Sequence, residues 1–172
     1  MMAGAALKLH DRLVFDLAAG QVVDGPRRYV LMRADVLMGA FDGLEESART
    51  EALRALGRSV YRQGADSVRA YLRELGAEAL LCAMEDGSAS LGWGRWCLEA
   101  EPGLLRLRVA NSPFAHATRR HDAPACHAIT GMLAAVAGTL WSMPARAEET
   151  QCACMVRTAP FTCLFEARAE AA

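Results

Sequence analysis

The residues best suited to chemistry crowd into one short stretch near the end of the chain. "EETQCACMVRTAPFTC", residues 148–163, places Cys152, Cys154 and Cys163 just after two acids, Glu148 and Glu149. Thiols gathered this way can form a disulfide, hold a metal, or simply be buried as small apolar side chains. The redox compartment separates the first from the others. The start of the chain, "MMAGAALKLHDRLVF", breaks its apolar run with Lys8, His10, Asp11 and Arg12, unlike a secretory signal. A cytoplasmic location is therefore expected, and there thiols suit metal binding or burial better than a disulfide.

Chain geometry tests whether these thiols can meet Cys126, which opens the uncharged stretch "CHAITGMLAAVAGTLWS". A helix from Cys126 to about Ser142 advances roughly 24 Å. A strand returning from Ala145 at about 3.3 Å per residue covers that distance in about seven residues and arrives at Cys152. A turn centred between Arg157 and Thr158 then sets Cys163 opposite Cys152. Glu149 precedes Cys152 by three positions, so on a regular strand the two face opposite sides, and only a bulge or bend brings them together. On that condition Cys126, Glu149, Cys152 and Cys163 converge as three thiolates and one carboxylate. This donor set suits tetrahedral zinc with no position left for water, a structural rather than a catalytic site. Cys82, Cys97 and Cys154 are read as buried or surface thiols without chemistry.

The elements that must position these groups read as an α+β fold, with an antiparallel sheet packed against helices. At 172 residues, with 53% apolar and 23% charged residues, the chain is long enough to bury a core as a single domain. "RLVFDLAAGQVVDGPRRYVLM" holds β-branched runs around turn signals and predicts a hairpin or two short strands. From Arg33 the spacing becomes helical. Leu53, Leu56, Val60, Val68, Tyr71, Leu72 and Leu75 recur near a period of 3.6, with Gly57, Gly64 and Gly76 read as punctuation between two linked helices, and a further short helix through "AEALLCAME". Alternation in "RWCLEAEPGLLRLRV" predicts an antiparallel hairpin turning at Glu101-Pro102-Gly103. Two more strands close the chain around a turn near Arg157 to Pro160.

Residues 123–145 carry no Asp, Glu, Lys or Arg and reach the length of a membrane span, yet about half of them are Ala, Gly, Ser or Thr. A central helix packed on several sides is expected instead. The net charge of −1 and the scattered arginines give no basic face, so no nucleic-acid partner is expected. No phosphate-binding glycine loop, dinucleotide fingerprint or nucleophile elbow is present, and no catalytic residue is assigned. His116, His121 and His127 are read as solvated or capping groups, although as ligands they could stand in for Glu149.

"NSPFA", a cysteine opening a Gly/Ala-rich helix (Cys126), "ETQC" and the closing "CLFEA" together resemble the 4-vinyl reductase domain, a hydrocarbon- or small-molecule-binding module. The resemblance is strongest over residues 90–168 and weaker over 28–89. It sets a ligand-binding domain over residues 28–170 after an N-terminal strand segment over 1–27. The family is named for a bacteriochlorophyll-biosynthesis protein, also supplies the sensory domain of aromatic-responsive activators, and is akin to subunits of the TRAPP tethering complex. In its aromatic-sensing members a Cys, a Glu, a Cys three residues later and a final Cys bind zinc. Those positions match Cys126, Glu149, Cys152 and Cys163, although the loop between the last two is three residues longer here and lacks glycine. The resemblance also implies a homodimer and an apolar ligand cavity, for which Trp93, Trp96, Phe114, Tyr61 and Met132 are the candidate lining. The reading is a hydrophobic small-molecule sensor acting through a partner and not an enzyme. The alternative is an accessory or reductase-related protein of tetrapyrrole biosynthesis, which would need a hydride source that the sequence does not display.

Overall fold

A computed structural model describes residues 8–156, 159 and 161–170. After a single helical turn, α1 (Leu9–Arg12), three short strands follow: β1 (Val14–Asp16), β2 (Gln21–Asp24) and β3 (Arg27–Tyr29). They form an antiparallel sheet in the order β1-β2-β3, one strand more than expected. Both connections rely on glycine at positive φ, Gly20 at 65° and Gly25 at 57°, which a side chain would strain. The division drawn after residue 27 falls inside β3.

Helices α2 (Ala34–Asp42) and α3 (Glu46–Ser90) come next. Of the three glycines read as breaks, only Gly76 interrupts α3, with φ 81° and ψ 171°. Gly57 and Gly64 lie within continuous helix and serve instead as notches. A Cβ on Gly57 would stand 2.6 Å from the His127 carbonyl oxygen, and one on Gly64 would stand 2.8 Å from Met132 Cε.

The second sheet contains β4 (Arg95–Glu101), β5 (Leu104–Ala110), β6 (Ala145–Gln151) and β7 (Thr162–Ala169), ordered β4-β5-β7-β6 and antiparallel throughout. Between β5 and β6 run the short α4 (Pro113–Ala117) and α5 (His127–Trp141), and a one-turn 3-10 helix at Ala153–Met155 follows β6. The hairpin turn at Pro102-Gly103 is as expected, with Gly103 at φ 72°. The turn expected between Arg157 and Pro160 falls largely outside the described residues.

Strand alternation builds the core. Leu105, Leu107 and Val109 of β5 and Cys163, Phe165 and Ala167 of β7 are buried, while Arg106 and Arg108 face solvent. Against that face lies α5 with Ile129, Leu133 and Val136 fully buried, and α3 covers α5 in turn. Each such large side chain contributes about 1.5–3 kcal/mol on leaving water. The uncharged stretch is thus the central packed helix. Among the described residues no helix is long and apolar enough to cross a membrane.

Helix α2 is fastened by a buried ion pair, Arg49 Nε donating to Asp42 Oδ1 at 3.2 Å. Thr118 Oγ1 (2.8 Å) and the Arg119 amide (2.6 Å) also donate to the Asp42 carboxylate, tying α2 and α3 to the loop after α4. Burial opposes ionisation of Asp42, but the Arg119 amide, Thr118 and Arg49 together hold its pKa below the ordinary value.

Candidate metal centre and ligand cavity

Four elements deliver the sulfur cluster. Cys126 immediately precedes α5, and its amide donates to Glu149 Oε2 at 3.1 Å, so the carboxylate satisfies a backbone donor at the helix start. Glu149 pairs with Phe165 across the β6–β7 ladder, and the next pair is Gln151 with Leu164, so a register shift intervenes. This is the bulge that allows Glu149 and Cys152 onto one side. The register also sends Cys152 and Cys163 toward each other beyond the last rung. Cys163 ends the buried row of β7, paired with Val109 of β5.

The ligand atoms of Cys126, Glu149, Cys152 and Cys163 all lie within 4.8 Å of one another. Cys126 Sγ stands 3.7 Å from Cys163 Sγ and 3.9 Å from Cys152 Sγ. A zinc–sulfur bond of about 2.3 Å gives tetrahedron edges of about 3.8 Å, so the sulfurs already sit at coordination spacing. Glu149 Oε1 is buried with no hydrogen-bond partner, an orphaned acceptor of the kind a metal ion would satisfy. The donors therefore fit zinc.

Their electrostatics show what an ion would relieve. Burial, reinforced by the adjacent Cys152 sulfur, pushes Glu149 up to about 8. The Cys126 thiol is raised because it donates to Cys152 and Cys163 and is buried, whereas Cys152 is lowered as the acceptor of its neighbours' protons. The cluster thus concentrates the negative charge of several acids on one sulfur. A dication would let all of them ionise. Ser112 Oγ lies 3.2 Å from Cys126 Sγ, and the Ala153 amide donates to Cys163 Sγ at 3.2 Å.

The other cysteines and the histidines fall into place around this centre. Cys82 is exposed, and Cys97, half-buried, accepts from Arg108 at 3.6 Å. Cys154, assigned no chemistry from sequence, stands only 3.2 Å from Cys152 Sγ. Its spacing two residues after a ligand is the signal that could have found it. His127 is half-buried and lowered by burial and by Arg54 and Arg49. His121 Nδ1 lies 2.9 Å from the Cys154 carbonyl oxygen, and His116 is exposed on α4. None of the three histidines belongs to the ligand group.

A cavity of about 570 Å³ lies between α3, the start of β4 and the N-terminal sheet, with Trp93, Trp96 and Met132 in its wall. Val60, Gly64, Val68 and Tyr71 line it from one face of α3, at spacings of four, four and three residues. Phe114 stands behind this wall, edge-on to Trp93 with centroids 5.4 Å apart. Trp96 is buried and donates its indole N–H to the Trp93 carbonyl at 3.2 Å. Tyr61 lines two other grooves rather than this cavity, alongside Ala65 and Leu72 in one of them. At the mouth, Arg12 donates to the Tyr71 hydroxyl (2.6 Å) and to Asp24 (2.9 Å), pinning the N-terminal sheet over α3.

Residues 105–169 match the family model of the vinyl-4-reductase domain. No curated protein matches the chain. Among solved structures, the phenol-responsive sensory domain of the transcription activator PoxR, determined with phenol, has a TM-score of 0.76 at 16% identity, covering 94% of this chain and 86% of that one. The likeness is one of fold. A vinyl-4-reductase family protein from Methanocaldococcus jannaschii has a TM-score of 0.48 at 14% identity, covering 80% of this chain and 77% of that one.

Proposed function

We propose that this chain, whose residues 105–169 form a vinyl-4-reductase domain, is a sensor that encloses an uncharged hydrophobic small molecule and passes the change in packing to a partner protein. The observation that carries the reading is the cavity walled by Trp93, Trp96 and Met132, of a size that suits a small-molecule ligand. Its inner surface is apolar, and its exposed polar groups, among them Arg28, Gln63 and Asp66, belong to the rim. The fold likeness to a phenol-responsive sensory domain supports the same reading.

Cys126, Glu149, Cys152 and Cys163 would hold zinc, which when bound supplies a fixed four-way crosslink and no open position for a substrate. Cys126 stands at the start of α5 and Met132 sits two turns further along the same helix. One rigid helix therefore joins the crosslink to the cavity wall, and a ligand that displaces Met132 moves an element whose other end is held. The exposed apolar residues Val14, Phe15, Leu17, Val30, Leu31 and Met32 of the N-terminal segment support a homodimer in which a second copy covers them.

Tryptophan fluorescence and melting temperature, followed while phenol or naphthalene is added, test the cavity. Saturable quenching with a raised melting temperature is expected. Gly87 lines the cavity and has open space where a Cβ would be, so Gly87→Leu should abolish both effects while the protein stays folded. Binding unchanged in that variant, or no response to any apolar aromatic, would sink the reading. Metal analysis of the purified chain should find one zinc per chain, lost in Cys126→Ser.

A further inference from the structure

We propose that Cys152 and Cys154 form a peroxide-oxidisable dithiol whose closure withdraws Cys152 from the metal centre. The pair is the tightest sulfur contact in the cluster, 3.2 Å against 3.7 and 3.9 Å for the contacts of Cys126. A disulfide at about 2.05 Å needs the two sulfurs to close by little more than 1 Å. Their residues flank Ala153 at the entry to the one-turn 3-10 helix, which is held by the Met155 amide donating to the Cys152 carbonyl at 3.0 Å. Residues two apart in so tight a turn lie within the span that a disulfide bridges.

Access sets the order of events. Cys126, Cys152 and Cys163 are 0–2% exposed, while Cys154 is half-buried and is the sulfur of this group open to solvent. An exposed thiol beside a buried resolving thiol is the arrangement that peroxide-sensing cysteines use. The Cys154 sulfur attacks one peroxide oxygen, the O–O bond breaks and one water leaves, giving a sulfenic acid. The Cys152 sulfur then attacks the Cys154 sulfur, the S–S bond forms, the S–O bond breaks and a second water leaves. Two thiols lose two electrons and two protons, and the peroxide is reduced to two waters. With Cys152 in a disulfide, three of the four metal donors remain.

The pair itself does not depend on the zinc reading, and the test separates the two. Trypsin cleavage after Arg146 and Arg157 yields a peptide carrying Cys152 and Cys154 without Cys163. After hydrogen peroxide is added to the reduced, metal-free protein, this peptide should become lighter by two hydrogens and refuse alkylation. In Cys154→Ser the Cys152 thiol should remain alkylatable. In the zinc-loaded protein, peroxide should release zinc to a chromogenic chelator, and Cys154→Ser or Cys154→Ala, checked by melting for an intact fold, should lose that release. An unmodified peptide, a crosslink from Cys152 to Cys126 or Cys163, or zinc release undiminished in both variants would overturn the proposal. A chain that loads no zinc at all defeats the metal reading, while the peptide map still decides the dithiol.

Discussion

Glu149 stands under two opposing demands, and pH separates them. Its carboxyl is raised by burial from the ordinary 4.5 to about 8, so in the metal-free folded chain it keeps a proton that the unfolded chain releases. The stability this supplies is complete below pH 4.5, declines by about 1.4 kcal/mol for each pH unit between the two values, and is gone above about pH 8. Metal binding requires the opposite state, since the carboxylate must ionise to coordinate. Glu149→Gln should therefore have effects of opposite sign. Melting of chelator-treated protein between about pH 5.5 and 8.5 should show the variant gaining on the wild type as pH rises, because the amide has no proton to lose. Zinc competition at about pH 7.5 should show the variant weaker by more than about tenfold. Comparing variant with wild type isolates Glu149 from the thiols, which titrate in both. A variant that tracks the wild type across this range would show that Glu149 is ionised in the metal-free fold.

The helices and strands explain what can and cannot be read from sequence. Alternation discloses β4 and β5, and chain length alone brings β6 back to Cys152, because rise per residue is nearly the same in every protein. Whether Glu149 joins Cys152 depends on parity, which only the bulge between Glu149 and Gln151 decides. Tyr61 is misplaced in the cavity by sequence reasoning because one residue turns a helix by about 100°. Val60 and Gly64 face the cavity, whereas Tyr61 and Ala65 face another groove. The glycines are harder, since a breaker and a packing notch have the same letter. At the crossing of α3 and α5, a Cβ on Gly131 would stand 2.1 Å from the Gly57 carbonyl oxygen, which is helix backbone and cannot yield. Gly131→Ala should cost about 1–3 kcal/mol or more by forcing the helices apart. Gly87→Ala, in the same helix system but with open space at its Cβ, should instead stabilise by about 0.5–1 kcal/mol. Urea denaturation of the two variants checks this, and equal effects would show that the crossing is looser than the structure places it.

Viewed entire, the molecule is closed on one side and open on the other. The second sheet, α5 and α3 bury their apolar faces in one core, and the ion pair of Asp42 with Arg49 secures α2 against it. The N-terminal sheet meets that body through the polar contacts of Arg12 with Asp24 and Tyr71, and turns Val14, Phe15 and Leu17 to solvent. Beyond β3, Val30, Leu31 and Met32 are 78%, 72% and 58% exposed, and Val36 on α2 is 56% exposed, so the apolar residues run on as a patch rather than as scattered singles. Two copies related by a two-fold axis can bury such a patch against itself. Analytical ultracentrifugation should find a dimer at micromolar concentration, and the double substitution Val30→Glu, Leu31→Glu should leave a monomer, since two like charges per chain would meet across the axis. Neither residue touches the thiol cluster or lines the cavity, so zinc content should persist in that monomer. Binding of an apolar aromatic separates two designs. If it survives in the monomer, each copy holds a complete cavity. If it is lost with the dimer, the second copy closes the mouth between α3 and the N-terminal sheet, and ligand occupancy and assembly become one equilibrium.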